Sequence, residues 1–115
     1  MTRYDAGLQG EKLAEEALQA KGMTIVERRY RAEDGEIDLI ARDGDMLVFV
    51  EVKYRPKASA GQGLLAVTPG KQRRMLHAAM RYLVAHDGMQ TQVRFDVVEI
   101  TRDGLCHVPN AFFAQ

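Results

Sequence analysis

The segment Met46–Val50 constrains the fold most, because it is the longest uninterrupted apolar run in the chain. Asp43-Gly44, just before it, is a strong signal for a tight hairpin turn. A fully apolar run of this kind suits a central strand that is covered on both faces. The run continues directly into Glu51-Val52-Lys53. The sequence therefore predicts a sheet whose central strand ends in charged residues.

The rest of the chain alternates between periodic segments and turn signals. Apolar residues at helical spacing predict two helices, over Gly10–Lys21 and from the cap Thr68-Pro69 to Asp87-Gly88. Apolar and alternating segments predict further strands at Met23–Tyr30, Glu36–Arg42, Arg94–Ile100 and, more briefly, Leu105–Val108. Tyr54–Val67 has no regular period and is predicted to be a loop. This order predicts an α/β fold with an αβββαβ core, in which helices flank a mixed central sheet.

The composition is that of an ordinary globular domain, with 46% hydrophobic and 28% charged residues. A chain of 115 residues fits a single domain over positions 1–115 and is long enough to bury a core. Sixteen basic residues balance sixteen acidic ones. This balance argues against a protein that coats nucleic acid by bulk charge, but it allows an acidic site to be framed by basic surface.

Cysteine usage and hydropathy indicate a cellular location. The lone cysteine, Cys106, excludes an intramolecular disulfide and indicates a reducing compartment. No stretch approaches the roughly eighteen continuous apolar residues that a membrane span needs. Met1–Asp5 is not followed by the apolar run of a signal peptide. A cytoplasmic protein without a membrane partner is therefore expected.

The charged end of the central strand is the strongest candidate for chemistry. Glu51 and Lys53 are two residues apart on a strand, so their side chains share a face. A two-residue turn at Asp43-Gly44 predicts that Asp38 lies opposite Phe49 and diagonally adjacent to Glu51. A register moved by two residues would place Asp38 directly opposite Glu51. Both registers put the two carboxylates on one face.

The preceding strand divides its residues between its two faces by alternation. One face is predicted to carry Ile37, Leu39 and Ala41, and the other to carry Glu36, Asp38 and Ile40. Glu36 therefore joins the face that holds Asp38 and Glu51.

Clustered carboxylates favour cation binding. Two carboxylates about 4 Å apart repel by roughly 4 kcal/mol at an effective dielectric of 20, and a proton or a cation relieves that repulsion. Oxygen ligands without a nearby His or Cys favour Mg²⁺ or Mn²⁺ over Zn²⁺. The pattern predicts metal-assisted phosphodiester hydrolysis, with Asp38 and Glu51 as metal ligands. Lys53 would orient the nucleophile or offset charge that develops on the phosphate.

Glu11 is a further candidate metal ligand at the start of the first predicted helix. Its alternative explanation is an acid that the helix dipole favours in a first turn. The main motif has an alternative too, because Glu-x-Lys at a strand end is often only a solvated pair. Its position beside the most apolar strand favours a functional role, since burial of charge there is expensive.

Basic side chains flank the predicted site and could contact phosphates, which position a nucleic acid without reading its bases. The candidates are Arg31, Arg55, Lys71 and Arg74. For each of them the alternative is an ordinary solvated surface charge.

Two motifs, Gly35–Ala41 and Val48–Arg55, closely resemble those of the YraN-like family of small bacterial proteins. The likeness extends to Gly10-Glu11, Tyr30-Arg31, Ala66-Val67-Thr68 with Lys71, and Arg94–Val97. The chain departs from the pattern at Arg29, where many members have Asn, and at Ile37, where the superfamily motif has proline.

The resemblance implies membership of the restriction-endonuclease-like PD-(D/E)xK superfamily and similarity to archaeal Holliday-junction resolvases. It implies an αβββαβ core, a Mg²⁺-type site and a nucleic-acid substrate. Carried over by position, the site comprises Glu11, Asp38, Glu51 and Lys53.

These observations predict a metal-dependent endonuclease that acts on structured or double-stranded DNA, in the manner of a resolvase. Two copies would help a chain this small to engage a branched substrate, so a homodimer is a further hypothesis. The alternative function is a non-catalytic module that keeps the nuclease fold and binds nucleic acid or a protein partner.

Overall fold

A five-stranded mixed sheet separates two helices in the computed structural model, which describes residues 2–60 and 67–112. In chain order the elements are α1 Arg3–Ala20, β1 Thr24–Ala32, β2 Gly35–Asp43, β3 Met46–Arg55, α2 Pro69–Ala85, β4 Val93–Thr101 and β5 Gly104–Phe112. The strands are ordered in the sheet as in the chain, and β3 and β4 are parallel while the other pairs are antiparallel. The predicted αβββαβ core is confirmed. The predicted strand at Leu105–Val108 is the middle of the longer β5.

Strand β3 supplies side chains to the cores on both faces of the sheet. Leu47 and Phe49 pack in the cluster beneath α2, and Val48 and Val50 pack in the cluster beneath α1. All four are buried. The parallel strand β4 covers one edge of β3 and the antiparallel β2 covers the other. The prediction of a central strand covered on both faces is confirmed.

Helix α1 begins seven residues earlier than the apolar stripe predicts. Thr2 caps it: its hydroxyl accepts a hydrogen bond from the Asp5 N–H, and the Asp5 carboxylate accepts one from the Thr2 N–H. This reciprocal capping box satisfies two backbone donors before the apolar stripe starts. The predicted start at Gly10 is therefore wrong, and Glu11 lies in the middle of the helix. Its explanation as a favourable first-turn acid is wrong as well.

The hairpin between β2 and β3 has the second of the two registers considered. Asp43 pairs with Met46 and Leu39 pairs with Val50, so the turn residues are Gly44 and Asp45. Gly44 has a φ of 61°, which glycine adopts at the first central position of a tight hairpin turn without steric penalty. The expectation that Asp38 lies opposite Phe49 is wrong. Continuing the observed register by one residue places Asp38 opposite Glu51.

Two predicted faces differ from the observed packing. Ile37 packs in the cluster beneath α2, whereas Leu39 packs beneath α1. The described pairs between β2 and β3 end at Leu39, whereas the pairs between β2 and β1 continue to Gly35. The first half of β2 therefore stays paired with β1 after it separates from β3. On α2, apolar residues at helical spacing predict that Met80 and Val84 are buried, but both are exposed.

The exposed positions on α2 follow from the way this helix is rotated on the sheet. Tyr82 faces the sheet and its ring meets those of Tyr30 and Phe49 edge-on. Small residues, Ala78 and Ala79, lie beside it in the buried face. This arrangement moves the buried stripe away from the residues that apolar spacing alone had indicated.

The predicted loop Tyr54–Val67 lies partly outside the described residues, and so does the matched position Ala66. Its first two residues, Tyr54 and Arg55, belong to β3 instead. The cap predicted at Thr68-Pro69 is confirmed, because the Thr68 hydroxyl accepts the Lys71 N–H at the start of α2.

Alanine substitutions at two glycines of α1 test how closely this helix must approach β3. A Cβ at Gly10 would lie 2.6 Å from the Cβ of Tyr54, whereas one at Gly7 would meet its nearest neighbour, an Arg29 nitrogen, at 3.5 Å. We expect Gly10→Ala to lower the free energy of unfolding by roughly 1–3 kcal/mol through overpacking. Gly7→Ala should leave it unchanged or raise it by up to about 1 kcal/mol. Urea denaturation of both variants measures this, and equal effects would contradict the packing of α1.

Candidate functional site

A cleft of about 490 Å³ opens where β2 and β3 separate, between the middle of α1 and the first turn of α2. Four carboxylates and one ammonium group line it, from Glu11, Glu36, Asp38, Glu51 and Lys71. We call this the acidic cleft. The structure thus brings all three predicted metal ligands and one predicted phosphate-binding residue to one place.

Asp38 is fixed at the point where the two strands part. Its Oδ2 accepts a hydrogen bond of 2.8 Å from the backbone N–H of Val52. This donor belongs to β3 but lies beyond the last described backbone pair, Leu39 with Val50. The side chain therefore satisfies an amide that no described β2 pair reaches, and the same bond holds the carboxylate beside Glu51.

Glu51 is the most deeply buried acid of the cleft, with 3% of its surface exposed. Its Oε1 lies 3.4 Å from the Nζ atoms of both Lys53 and Lys71. Its Oε2 is buried and, within the described part of the chain, has no hydrogen-bond partner. A buried acceptor left unpaired costs about 1–3 kcal/mol. This oxygen is therefore a place where a proton or a cation would be stabilising.

The environment of Glu51 disfavours its charged form. Burial raises its pKa from 4.5 to about 7, and the neighbouring charge of Asp38 adds to the rise. Lys71 and Lys53 oppose the rise but do not cancel it. Near neutral pH the carboxyl is therefore poised between its two protonation states.

Glu11 lines the acidic cleft but is held by another partner. The Nε–H of Arg29 donates to its Oε1 at 2.8 Å. Arg29 has a φ of 52°, a left-handed conformation that is rare for a residue within a strand. The pairs on either side of it in β1 place it opposite Asp38. Glu11 is thus near the two central acids, with its charge already balanced.

Across residues 2–60 and 67–112, no three His, Cys, Asp or Glu side chains form a ready-made metal site. Asp38 and Glu51 are close enough for their charges to interact. Glu11, which also lines the cleft, has its Oε1 bonded to Arg29.

Of the predicted basic residues, Arg31 and Lys71 form ion pairs with carboxylates of the cleft. Arg31 forms an ion pair with Glu36 at the rim of the cleft, and Lys71 lies 3.7 Å from the same side chain. Arg55 is the last residue of β3 and is half-buried. Arg74 is exposed on α2.

A second charged cluster, which the sequence did not predict, ties β4 to β5 and to the end of α1. Asp96 is fully buried and accepts two hydrogen bonds from Arg94, one from His107 and one from the Asn110 N–H. Lys21 lies 2.8 Å from the other ring nitrogen of His107. An ammonium group only donates, so Nδ1 of His107 accepts and its Nε2–H faces Asp96.

This second cluster has a structural role. Burial alone would raise the pKa of Asp96, but the hydrogen bonds from His107 and Arg94 outweigh it and lower the pKa overall. Both oxygens of the Asp96 carboxylate accept hydrogen bonds from groups of the protein. It therefore differs from Glu51, which keeps one oxygen without a partner in the described chain.

Comparison with known proteins assigns the chain to a family. The model of the uncharacterised protein family UPF0102 matches residues 10–100. The chain belongs to the UPF0102 family. The match spans every residue of the acidic cleft named above, and it confirms the YraN-like resemblance at the level of the family.

Relatives in the UPF0102 family align over most of their length. A UPF0102 protein of Nitrosococcus oceani is 46% identical over 103 residues, covering 89% of this chain and 83% of its own. One from Geobacter metallireducens is 44% identical over 110 residues, covering 92% and 90%. One from Thermodesulfovibrio yellowstonii is 40% identical over 113 residues, covering 98% and 100%. In the chain itself, none of the helices within the described residues is long and apolar enough to cross a membrane.

The raised pKa of Glu51 makes stability depend on pH in a specific direction. The neutral carboxyl stabilises the folded state fully below pH 4.5, and this contribution is lost as the pH rises towards about 7. Glu51→Gln keeps the neutral shape at every pH. In a chelating buffer it should match wild type near pH 4.5 and be more stable by on the order of 2–3 kcal/mol at pH 8.

Urea denaturation at several pH values measures this difference. Glu16→Gln, which removes an exposed carboxylate of α1, is the matched control and should follow wild type much more closely. A stability difference between Glu51→Gln and wild type that stays constant with pH would contradict the described environment of Glu51.

Proposed function

We propose that this UPF0102 protein is a divalent-metal-dependent endonuclease of the restriction-endonuclease-like PD-(D/E)xK superfamily. Its substrate is structured or double-stranded DNA, which it cleaves in the manner of a resolvase. The observation that carries the proposal is the buried Oε2 of Glu51, which lies unpaired in the described chain, next to the charge of Asp38. Lys53 stands on the same strand, two residues beyond Glu51, as the motif requires.

The donor set fits Mg²⁺ or Mn²⁺. Asp38 and Glu51 offer only oxygen ligands, which hard divalent cations prefer. The Oε2 atom of Glu51 has no hydrogen-bond partner in the described chain and is available to bind the ion. When bound, the ion would stabilise negative charge on the scissile phosphate and acidify a water molecule. Glu11 is the third candidate ligand, since it lines the same cleft.

The chain's own residues supply orientation and charge. The hydrogen bond from Val52 holds Asp38 in place without an ion, so the site is partly preorganised. Lys53 lies 3.4 Å from Glu51 and places a cation where a phosphate next to the two acids would develop charge. Burial of Glu51 lowers the local dielectric, which strengthens each of these interactions.

Substrate binding rests on local basic residues, because the chain has no net charge. We assign phosphate contacts to Lys71 and Arg31 at the cleft and to Arg55 and Arg74 farther out on β3 and α2. Such contacts position DNA without reading its sequence. Two copies of the chain would present two clefts, one for each strand of a duplex or junction.

A second candidate function is a non-catalytic module that binds nucleic acid or a protein partner. It is favoured by one observation, the internal neutralisation of the cleft. Glu11 is paired with Arg29, and Glu51 has two lysines at one oxygen. A site balanced in this way is stable without a metal ion.

Cleavage of DNA by purified protein in Mn²⁺ distinguishes the two functions. Asp38→Asn keeps an oxygen that can accept the Val52 N–H but removes the charge, so the fold should persist. We expect wild type to cut branched or linear duplexes and Asp38→Asn to lose at least about a hundredfold in rate.

Asp45→Asn is the control, because it removes an exposed acid from the turn that follows β2. It should cleave like wild type. Equal rates for wild type and Asp38→Asn would contradict the proposed site. DNA binding without cleavage by wild type would favour the second function.

A further inference from the structure

Lys71 occupies a position in α2 where its charge is locally unfavourable. It follows the cap Thr68 by three residues, in a first turn that carries no acidic residue. The N-terminal end of a helix has a partial positive charge, so a cation there is destabilising. Its compensation comes from outside the helix. The ammonium group lies 3.4 Å from Glu51 and 3.7 Å from Glu36.

The ion pairs around Glu51 are unevenly distributed. Lys53 and Lys71 lie at the same Oε1, while Oε2 has no partner within the described residues. Lys53 follows Glu51 by two residues on the same strand, so its side chain starts on the same face beside Glu51. Lys71 comes from a different element, and its side chain spans from the buried Glu51 to Glu36 at the rim of the cleft. It therefore lies between the deepest acid and solvent.

We propose that Lys71 is an exchangeable internal counterion. It neutralises Glu51 and Glu36 in the free protein, competes with a divalent metal ion for Glu51, and pairs with a DNA phosphate once the ion is bound. This inference rests on the proposed metal site.

Electrostatics gives the exchange its direction. A divalent ion at Asp38 and Glu51 repels an ammonium group at Glu51 Oε1, which removes the compensation that holds Lys71 there. A phosphate at the mouth of the cleft gives Lys71 a new negative partner. The backbone N–H groups of the first turn of α2 favour an anion at the same end of the helix. Lys71 has a side chain that is 20% exposed, so the phosphate can reach it from solvent.

The test is a calorimetric titration of Mn²⁺ without DNA into wild type, Lys71→Gln, Lys71→Arg and Arg73→Gln. Arg73→Gln is the matched control, because it removes one positive charge from an exposed position of the same helix. Lys71→Gln should bind Mn²⁺ roughly five- to tenfold more tightly than wild type, since no internal cation competes. Lys71→Arg and Arg73→Gln should remain within about twofold of wild type on the same grounds.

The second half of the exchange is measured by fluorescence anisotropy with a short labelled DNA duplex in Ca²⁺, another hard cation with oxygen ligands. Lys71→Gln should bind the duplex more weakly than Arg73→Gln, with a salt dependence reduced by about one phosphate contact relative to wild type.

An unchanged or weaker Mn²⁺ affinity in Lys71→Gln overturns the inference while leaving the metal site intact. Tighter Mn²⁺ binding with unchanged duplex binding also overturns it, because Lys71 would then compete with the ion without serving the substrate. If no protein in the series binds Mn²⁺, the proposed metal site fails and the inference fails with it.

Discussion

The Glu51 carboxylate lies buried within the central strand, directly after its apolar run, and the other charged residues of the acidic cleft surround it. Strand β3 is apolar for five residues and then places this acid where only 3% of it is exposed. A buried charge is costly unless it is paired. Lys53 and Lys71 pair with its Oε1, and Oε2, which has no partner in the described chain, can take a proton or a cation. Asp38 makes the charged form of Glu51 still less favourable, because it places a second negative charge beside it.

Close backbone packing brings both helices to this point. A Cβ at Gly10 would collide with Tyr54, and one at Gly35 would lie only 1.8 Å from the backbone oxygen of Arg74. The first contact sets α1 against the end of β3 and carries Glu11 into the cleft wall. The second sets α2 directly on the start of β2, which brings Lys71 within reach of Glu36. The two glycines therefore allow the close helix packing that brings Glu11 and Lys71 to the cleft.

Much of this arrangement is predictable from residue patterns with a local cause. The covered central strand, the cap at Thr68 and the shared face of Asp38 and Glu51 all follow from periodicity and turn chemistry. The early start of α1 was missed although Thr2 and Asp5 carry a capping box, because the apolar stripe gave a stronger signal. The face of Ile37 and the exposed side of α2 depend on how β2 follows β1 and how Tyr82 packs, and neither is a local property.

The partner of Glu11 was not predictable either. The ion pair with Arg29 joins residues 18 positions apart and leaves no pattern beyond the two charges. The left-handed conformation of Arg29 does accord with the departure noted in the sequence, since Asn adopts that conformation more readily than Arg. Arginine at this position therefore accepts backbone strain and gains a hydrogen bond to Glu11.

The central claim is that Asp38 and Glu51 together hold a divalent metal ion. Its most direct test is calorimetric titration of Mn²⁺ into wild type, into the double variant Asp38→Asn, Glu51→Gln, and into a control double variant, Asp34→Asn, Asp45→Asn. The control removes the same charge from exposed turns. The account predicts saturable binding to wild type and to the control, and none to the first double variant. Equal binding by all three proteins, or no binding to wild type, would contradict it.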